Sequence, residues 1–118
     1  MAQIVIIDEL GDSATELEST FSAAGHHALS VRDAGSGIDF CRTNSVKAVI
    51  ACVYLPGRDM ETVLQLRRTF PNLPVIVFYA KAAEVDSSAF VLCAGDTSII
   101  PKPVSLSTVL LAVEKVLP

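Results

Sequence analysis

Residues 46–60, VKAVIACVYLPGRDM, decide the fold of this chain. The first part, 46–53, is almost entirely apolar and rich in valine, isoleucine and alanine, as is typical of a β-strand buried on both faces. Leu55, Pro56 and Gly57 then interrupt the pattern, and Asp59 is placed to cap a helix over about 60–69. A buried strand followed directly by a helix predicts one β–α unit of an α/β protein.

The same unit recurs on both sides of this segment. The predicted strands cover residues 3–7, 28–31, 46–53, 75–79 and 98–100. The predicted helices cover about 13–24, 36–43, 60–69 and 83–94, and the stretch after Ser105. Strands and helices in strict alternation favour a parallel sheet with helices on both faces and right-handed crossovers.

Length and composition restrict the class of protein. The chain has 118 residues, which fits a single domain over 1–118. With 51% hydrophobic and 19% charged residues it can build a sizeable core and is not typical of disorder. A net charge of −4 without a basic run gives no sign of a nucleic-acid surface.

Targeting signals and cysteine usage both favour a cytoplasmic protein. No apolar run approaches the roughly 20 residues that span a bilayer, and the N-terminus does not resemble a signal peptide. The three cysteines, Cys41, Cys52 and Cys93, form no CxxC pair. A disulfide framework or structural zinc site is therefore not expected, and a reducing compartment is.

Functional groups in such a sheet are expected at the carboxyl ends of the strands. Asp8 and Glu9 follow the first strand, and two adjacent acids repel each other unless a cation such as Mg²⁺ or solvent stabilises them. Lys102 stands between two prolines, which stiffen the backbone around it; it is either a phosphate or carboxylate partner or an ordinary surface lysine. The other strand ends carry Arg32, Asp33, residues 52–54, Tyr79 and Ala80.

The order of these motifs resembles the receiver domain of response regulators, the CheY-like family. That family has an acidic pair after strand one, an Asp-x-x-Met-Pro-x-x-Asp-Gly segment after strand three, Thr or Ser then Ala after strand four, and Lys-Pro after strand five. The matching positions here are Asp8-Glu9, residues 52–60, Tyr79-Ala80 and Lys102-Pro103. The resemblance implies a flavodoxin-like (βα)5 doubly wound fold, with a five-stranded parallel sheet in the order 2-1-3-4-5, and a role in two-component signalling.

Three positions depart from the family pattern. Counting back four residues from Pro56 gives Cys52 where the family has its phosphate-accepting aspartate. A thiol cannot form an acyl phosphate, and it removes an oxygen ligand from a Mg²⁺ site. Tyr79 occupies the position where the family has a Thr or Ser hydroxyl. Ile99 occupies the position of the family's aromatic switch residue. The resemblance thus predicts a degenerate receiver that is not an enzyme, with no catalytic residue and no cofactor expected.

The remaining family positions carry over residue by residue. Asp8, Glu9 and the backbone carbonyl of Tyr54 correspond to Mg²⁺ ligands, so a weak or absent Mg²⁺ site is expected. Lys102 is expected to form a direct or water-bridged ion pair with Asp8 or Glu9. The predicted receiver pocket comprises Asp8, Glu9, Cys52, Tyr79, Ala80 and Lys102.

Cys52 also allows two other functions. A neighbouring Lys102 would favour a reactive thiolate and hence a thiol switch, whereas the acids at 8 and 9 oppose a further negative charge. A buried, inert cysteine is the favoured interpretation. A phosphoreceiver with an unusual acceptor is the remaining alternative. His26 and His27 are expected in a solvated turn.

A protein-contact surface is expected on the face that receivers generally use, formed by the fourth helix, the fifth strand and the last helix. Leu110 and Leu111 widen the apolar surface of the last helix beyond a single core stripe, which favours a protein partner or homodimer over singly exposed side chains. Nucleic-acid and membrane partners are not expected. The residues carried over to this face are Ser88, Leu92, Ile99, Leu111 and Lys115.

Overall fold

A computed structural model describes residues 3–11, 14–53, 56–79, 97–101 and 106–116. The strands are β1 (Gln3–Ile7), β2 (His27–Val31), β3 (Ala48–Val53), β4 (Val75–Tyr79) and β5 (Thr97–Pro101). The helices are α1 (Ala14–Ala23), α2 (Ala34–Thr43), α3 (Pro56–Thr69) and α4 (Leu106–Val116). The predicted helix at 83–94 lies outside the described residues, so the last helix is α4 here.

The strands form one parallel sheet. Their order is β2-β1-β3-β4-β5, and each neighbouring pair is parallel. The predicted α/β architecture with a parallel sheet and helices is therefore confirmed. Strand order reverses between β1 and β3, and the carboxyl ends of these two strands are where such a sheet places its ligand sites.

The two faces of the sheet bury alternate side chains of the same strands. Odd-numbered residues of β1 and β3 pack with α2 and α3, and we call this set the α2/α3 cluster. Even-numbered residues pack with α1 and α4, and we call that set the α1/α4 cluster. The α2/α3 cluster comprises Val5, Ile7, Ile38, Val49, Ala51, Val63, Leu66, Val75 and Val77. The α1/α4 cluster comprises Ile4, Ile6, Leu17, Phe21, Ala48, Ile50, Cys52, Ile76, Phe78, Val109 and Val113.

Two helices begin earlier than the sequence predicts. Helix α3 starts at Pro56, so the prediction that Asp59 caps it is wrong. Proline is well suited to a first helical position, because the N–H it lacks has no partner there and its φ angle already fits a helix. Helix α2 starts at Ala34, two residues before the predicted start, with Asp33 as its N-cap.

Within the described ranges, no helix is both long enough and apolar enough to cross a bilayer.

Candidate functional site

Asp8 is a buried carboxylate at the carboxyl end of β1. Its backbone N–H donates to the carbonyl oxygen of Val31 over 2.9 Å and so continues the β1–β2 pairing. Its Oδ1 accepts a hydrogen bond from the Gly11 backbone N–H at 3.0 Å. The residue is 0% exposed, whereas the adjacent Glu9 is exposed. The loop after β1 therefore holds one acid inside the protein and leaves its neighbour at the surface.

Cys52 lies next to this carboxylate in the sheet. The β1–β3 register pairs Ile7 with Ala51, so the following residues, Asp8 and Cys52, lie level with each other. On its other side Cys52 pairs with Phe78. Cys52 is 6% exposed and belongs to the α1/α4 cluster. The register therefore places Cys52 of β3 beside the residue that follows β1.

A cavity of about 280 Å³ opens at the carboxyl ends of β1, β2 and β3. Most of its wall comes from these strand ends, and α3 contributes one threonine, Thr62. We call it the acidic pocket, because two carboxylates line it. The lining residues are Ile7, Glu9, Arg32, Asp33, Ala34, Ala51, Cys52 and Thr62.

The guanidinium group of Arg32 lies against the backbone of Gly11. A Cβ atom at Gly11 would be 2.7 Å from Nη2 of Arg32 and 2.8 Å from Cζ, closer than van der Waals contact allows. Gly11 also has φ +77°, a conformation that L side chains rarely adopt. Sequence reasoning noted Arg32 only as a strand-end residue and missed this contact. A glycine three residues after a strand-end acid was the available signal.

Asp33 lines the acidic pocket while capping α2. Its Oδ1 accepts from the Ser36 backbone N–H at 2.7 Å, and its Oδ2 accepts from the Ser36 hydroxyl at 3.0 Å. These two hydrogen bonds, the backbone one first, lower the pKa of the Asp33 carboxyl group below its ordinary value. Both carboxylate oxygens of Asp33 therefore accept hydrogen bonds from the first turn of α2.

The predicted pocket residues fall into two groups. Asp8, Glu9 and Cys52 are brought together at the ends of β1 and β3, and Tyr79 ends β4, paired with Val53. The others, Tyr54, Ala80 and Lys102, lie outside the described residues. The ion pair expected from Lys102 stays a prediction.

Among the described residues, the strand ends at β1 and β3 offer a magnesium ion two carboxylates and one sulfur atom. Mg²⁺ requires near-octahedral coordination by oxygen atoms. Asp8 and Glu9 offer carboxylate oxygens, but the side chain level with Asp8 offers sulfur. Within the described ranges no cluster of three or more His, Cys, Asp or Glu side chains is arranged to hold a metal ion.

A second polar contact joins two distant parts of the chain. Nε2 of His26 lies 3.0 Å from Oε2 of Glu114, and the His26 side chain is only 10% exposed. Its ring lies 6.1 Å from that of Phe21. The expectation of a solvated turn is wrong for His26, which connects the turn after α1 to α4. His27 is exposed, as expected, and its ring contacts Gln3.

The predicted interaction face is described in part. Ile99 lies in β5, while Ser88 and Leu92 lie outside the described residues. On α4, Leu111 is 64% exposed and Lys115, one turn further on, is also exposed. Leu110 is half-buried and packs on the α1/α4 cluster. The outer surface of α4 thus presents an apolar side chain beside a basic one.

The sequence matches no family model. Among solved structures, the Vibrio cholerae chemotaxis protein CheY4 is similar with a TM-score of 0.84 and 18% identity, covering 99% of both chains. TrrA from Thermotoga maritima, solved in complex with Mg²⁺–BeF, has a TM-score of 0.83 and 15% identity, covering 99% of this chain and 100% of that one. The Francisella response regulator 1452 receiver domain gives 0.82 and 17%, with 98% and 96% covered. These neighbours are response-regulator receiver domains, and at such identity the likeness shows a common fold.

Proposed function

We propose that this chain is a receiver-like signalling module of a two-component or phosphorelay system that acts without phosphorylation at the usual position. The observation that carries the proposal is Cys52: a receiver fold places the end of β3 beside the acidic pair, and the side chain there is a thiol. A stable acyl phosphate requires a carboxylate. No catalytic residue is assigned, and the acidic pocket acts as a structural remnant.

The metal requirement supports the same proposal. The TrrA neighbour was solved with Mg²⁺–BeF, whereas the described residues of this chain provide two carboxylates and a sulfur atom. Asp8 is in addition engaged by the Gly11 N–H. A phosphoryl donor would therefore meet neither a suitable nucleophile nor a complete set of oxygen ligands.

Without phosphorylation, the output depends on surface contacts. Leu111 is the most exposed large apolar side chain among the described residues, and exposed apolar surface is typical of protein–protein sites when it is contiguous. Together with Lys115 it supports the outer face of α4 as the contact surface, for a protein partner or a second copy.

The decisive experiment is incubation of the protein with acetyl phosphate and Mg²⁺, followed by intact-mass measurement. The expected result is an unchanged mass. The Cys52→Asp variant, which restores the acceptor carboxylate, serves as the positive comparison. A phosphate adduct on the wild-type protein would refute the proposal and favour an unusual acceptor.

The contact surface is tested separately by sedimentation velocity over a range of concentrations. If two copies associate through α4, Leu111→Lys weakens the association while Leu10→Lys does not. Leu10 is a matched control, because it is 53% exposed and lies in the loop after β1. Association that Leu10→Lys weakens as much as Leu111→Lys would contradict the assigned face.

A thiol switch is the second candidate, and one observation favours it: Cys52 lines the same cavity as Arg32. A nearby cation favours a thiolate. Its low exposure and its apolar neighbours oppose it. Iodoacetamide labelling of the native protein separates the two functions, with Cys41 as the reference. Cys41 is half-buried, and burial raises the pKa of its thiol. Faster labelling of Cys52 than of Cys41 would favour the switch.

A further inference from the structure

The charges of this chain are distributed unevenly along its sequence. Six of the nine basic residues lie between residues 40 and 83, together with only two of the thirteen acidic residues. This stretch therefore has a net charge of +4, whereas the remaining three basic and eleven acidic residues give the rest of the chain a net charge of −8. A protein that is acidic overall thus contains one basic segment.

The fold brings four of these basic residues to one edge of the sheet. A crossover helix returns the chain to the start of the next parallel strand, so the last turns of α2 and α3 lie towards the amino ends of β3 and β4. Arg42 stands in the last turn of α2, and Arg67 and Arg68 stand in the last turn of α3. Lys47 directly precedes β3. We call these four residues the basic edge.

Hydrogen bonds connect the parts of the basic edge. The guanidinium group of Arg67 donates to two backbone carbonyl oxygens of the loop that follows α3, one of them that of Leu73. The next carbonyl oxygen in this loop, that of Pro74, accepts from the Val49 backbone N–H at 3.0 Å. The loop after α3 therefore lies beside the start of β3, which Lys47 precedes.

The cations of the basic edge are exposed to solvent with little compensation. Arg42, Lys47 and Arg68 are all exposed. Arg42 lies 3.9 Å from Asp39, but both side chains are largely exposed, so this ion pair contributes little to stability. No ion pair or side-chain hydrogen bond joins Lys47 or Arg68 to another described residue. Helix dipoles favour positive charge in a last turn, which accounts for the arginines, but Lys47 lies outside a helix.

Partly exposed apolar side chains border the basic edge. They pack against the α2/α3 cluster near the ends of α2 and α3 and in the loops before β3 and β4, and they are Phe40, Val46, Phe70 and Leu73. Arginine and aromatic side chains together are typical of protein–protein contact sites. This edge of the sheet therefore offers a partner both positive charge and apolar surface.

We propose that the basic edge binds an acidic protein segment, one that carries several Asp or Glu side chains around an apolar residue. Charge complementarity favours such a segment over a nucleic acid, because an extended polyanion would be repelled by the net charge of −8 on the rest of the chain. Phe40 and Phe70 are partly buried, so they offer little ring surface for base stacking. The basic edge lies on the α2/α3 side of the sheet, opposite α4, so this inference does not depend on the proposed function.

The test is a calorimetric titration at low ionic strength with a synthetic peptide in which pairs of glutamates alternate with leucine. The wild-type protein should bind this peptide and should not bind a matched peptide with glutamine in place of glutamate. Lys47→Glu and Arg68→Glu should each weaken binding roughly fivefold, because each replaces an exposed attraction by a repulsion. Lys115→Glu is the matched control and should leave the affinity unchanged: Lys115 is exposed in the last turn of α4, and the variant changes the net charge equally.

Absence of glutamate-peptide binding by the wild-type protein, or equal weakening by Lys47→Glu and Lys115→Glu, would overturn the inference. Tighter binding of a single-stranded oligonucleotide with the same number of negative charges would also overturn it. Sedimentation velocity of the protein alone tests the remaining occupant: self-association that Lys47→Glu abolishes would assign the basic edge to a second copy and overturn the assignment to a separate partner. The acetyl phosphate and Leu111→Lys experiments test the proposed function independently.

Discussion

Replacing Cys52 by aspartate should destabilise the protein at neutral pH. The β1–β3 register places residue 52 level with Asp8, which is fully buried. The thiol is itself only 6% exposed and packs in the α1/α4 cluster. A carboxylate in its place therefore adds a second negative charge beside the first, in a site with little access to water.

The size of the effect follows from the geometry of the sheet. Neighbouring strands are roughly 4.8 Å apart, so the two carboxylates would lie about 5 Å from each other. With an effective dielectric constant of about 20, two like unit charges at that distance repel by about 3 kcal/mol. Aspartate and cysteine are similar in size, so repacking adds little to this value.

Urea denaturation of Cys52→Asp and Cys52→Asn measures the charge effect by itself, because asparagine has the same shape without the charge. At pH 7 the aspartate variant should be less stable than the asparagine variant by about 3 kcal/mol. The neighbouring charge raises the pKa of the introduced carboxyl group above its unfolded value. The penalty is thus full above the raised pKa and disappears as the pH falls towards about 4. Equal stabilities at pH 7, or a gap that persists on acidification, would refute the reasoning.

Two further predictions concern the loops around the acidic pocket. In urea denaturation, Gly11→Ala should destabilise the protein more than Gly25→Ala does. Both glycines have positive φ, +77° and +88°, and this conformation costs an alanine about 1 kcal/mol. Only Gly11 is in addition crowded by Arg32. Equal losses would show that the guanidinium group moves aside freely. Because the hydrogen bonds from Ser36 lower the pKa of Asp33, their contribution to stability is present above the unfolded pKa and is lost as the pH falls through the lower folded pKa. Melting temperatures of the wild-type protein should therefore fall more steeply below about pH 4 than those of Asp33→Asn, and parallel curves would contradict this.

The alternation of strands and helices could be predicted because it depends on local patterns. Strands buried on both faces appear in the sequence as continuous apolar runs, and β3 and β4 lie within such runs. Asp8 follows β1 and Cys52 lies near the end of β3, so they are close once these two strands are neighbours in a parallel sheet. The start of α3 was misjudged because proline breaks a helix in its interior but is suited to its first position, and only the surrounding structure distinguishes these cases.

The contacts that prediction missed join residues far apart in sequence. His26 and Glu114 are separated by 88 positions, and neither carries a local signal of its partner. The contact between Arg32 and Gly11 depends on how the loop after β1 folds over the end of β2. Contacts of this kind are determined by the tertiary structure, so periodicity and spacing do not reveal them.

Cys52 is shared between two environments, because it lines the cavity and also belongs to the cluster that holds Val109 and Val113 of α4. Protein interiors are packed too densely to absorb added atoms without displacing their neighbours. A larger residue at position 52 must therefore either extend into the cavity or press on the inner side of α4, whose outer side carries Leu111. A change at position 52 that displaced Val109 or Val113 would therefore also shift the exposed side of α4.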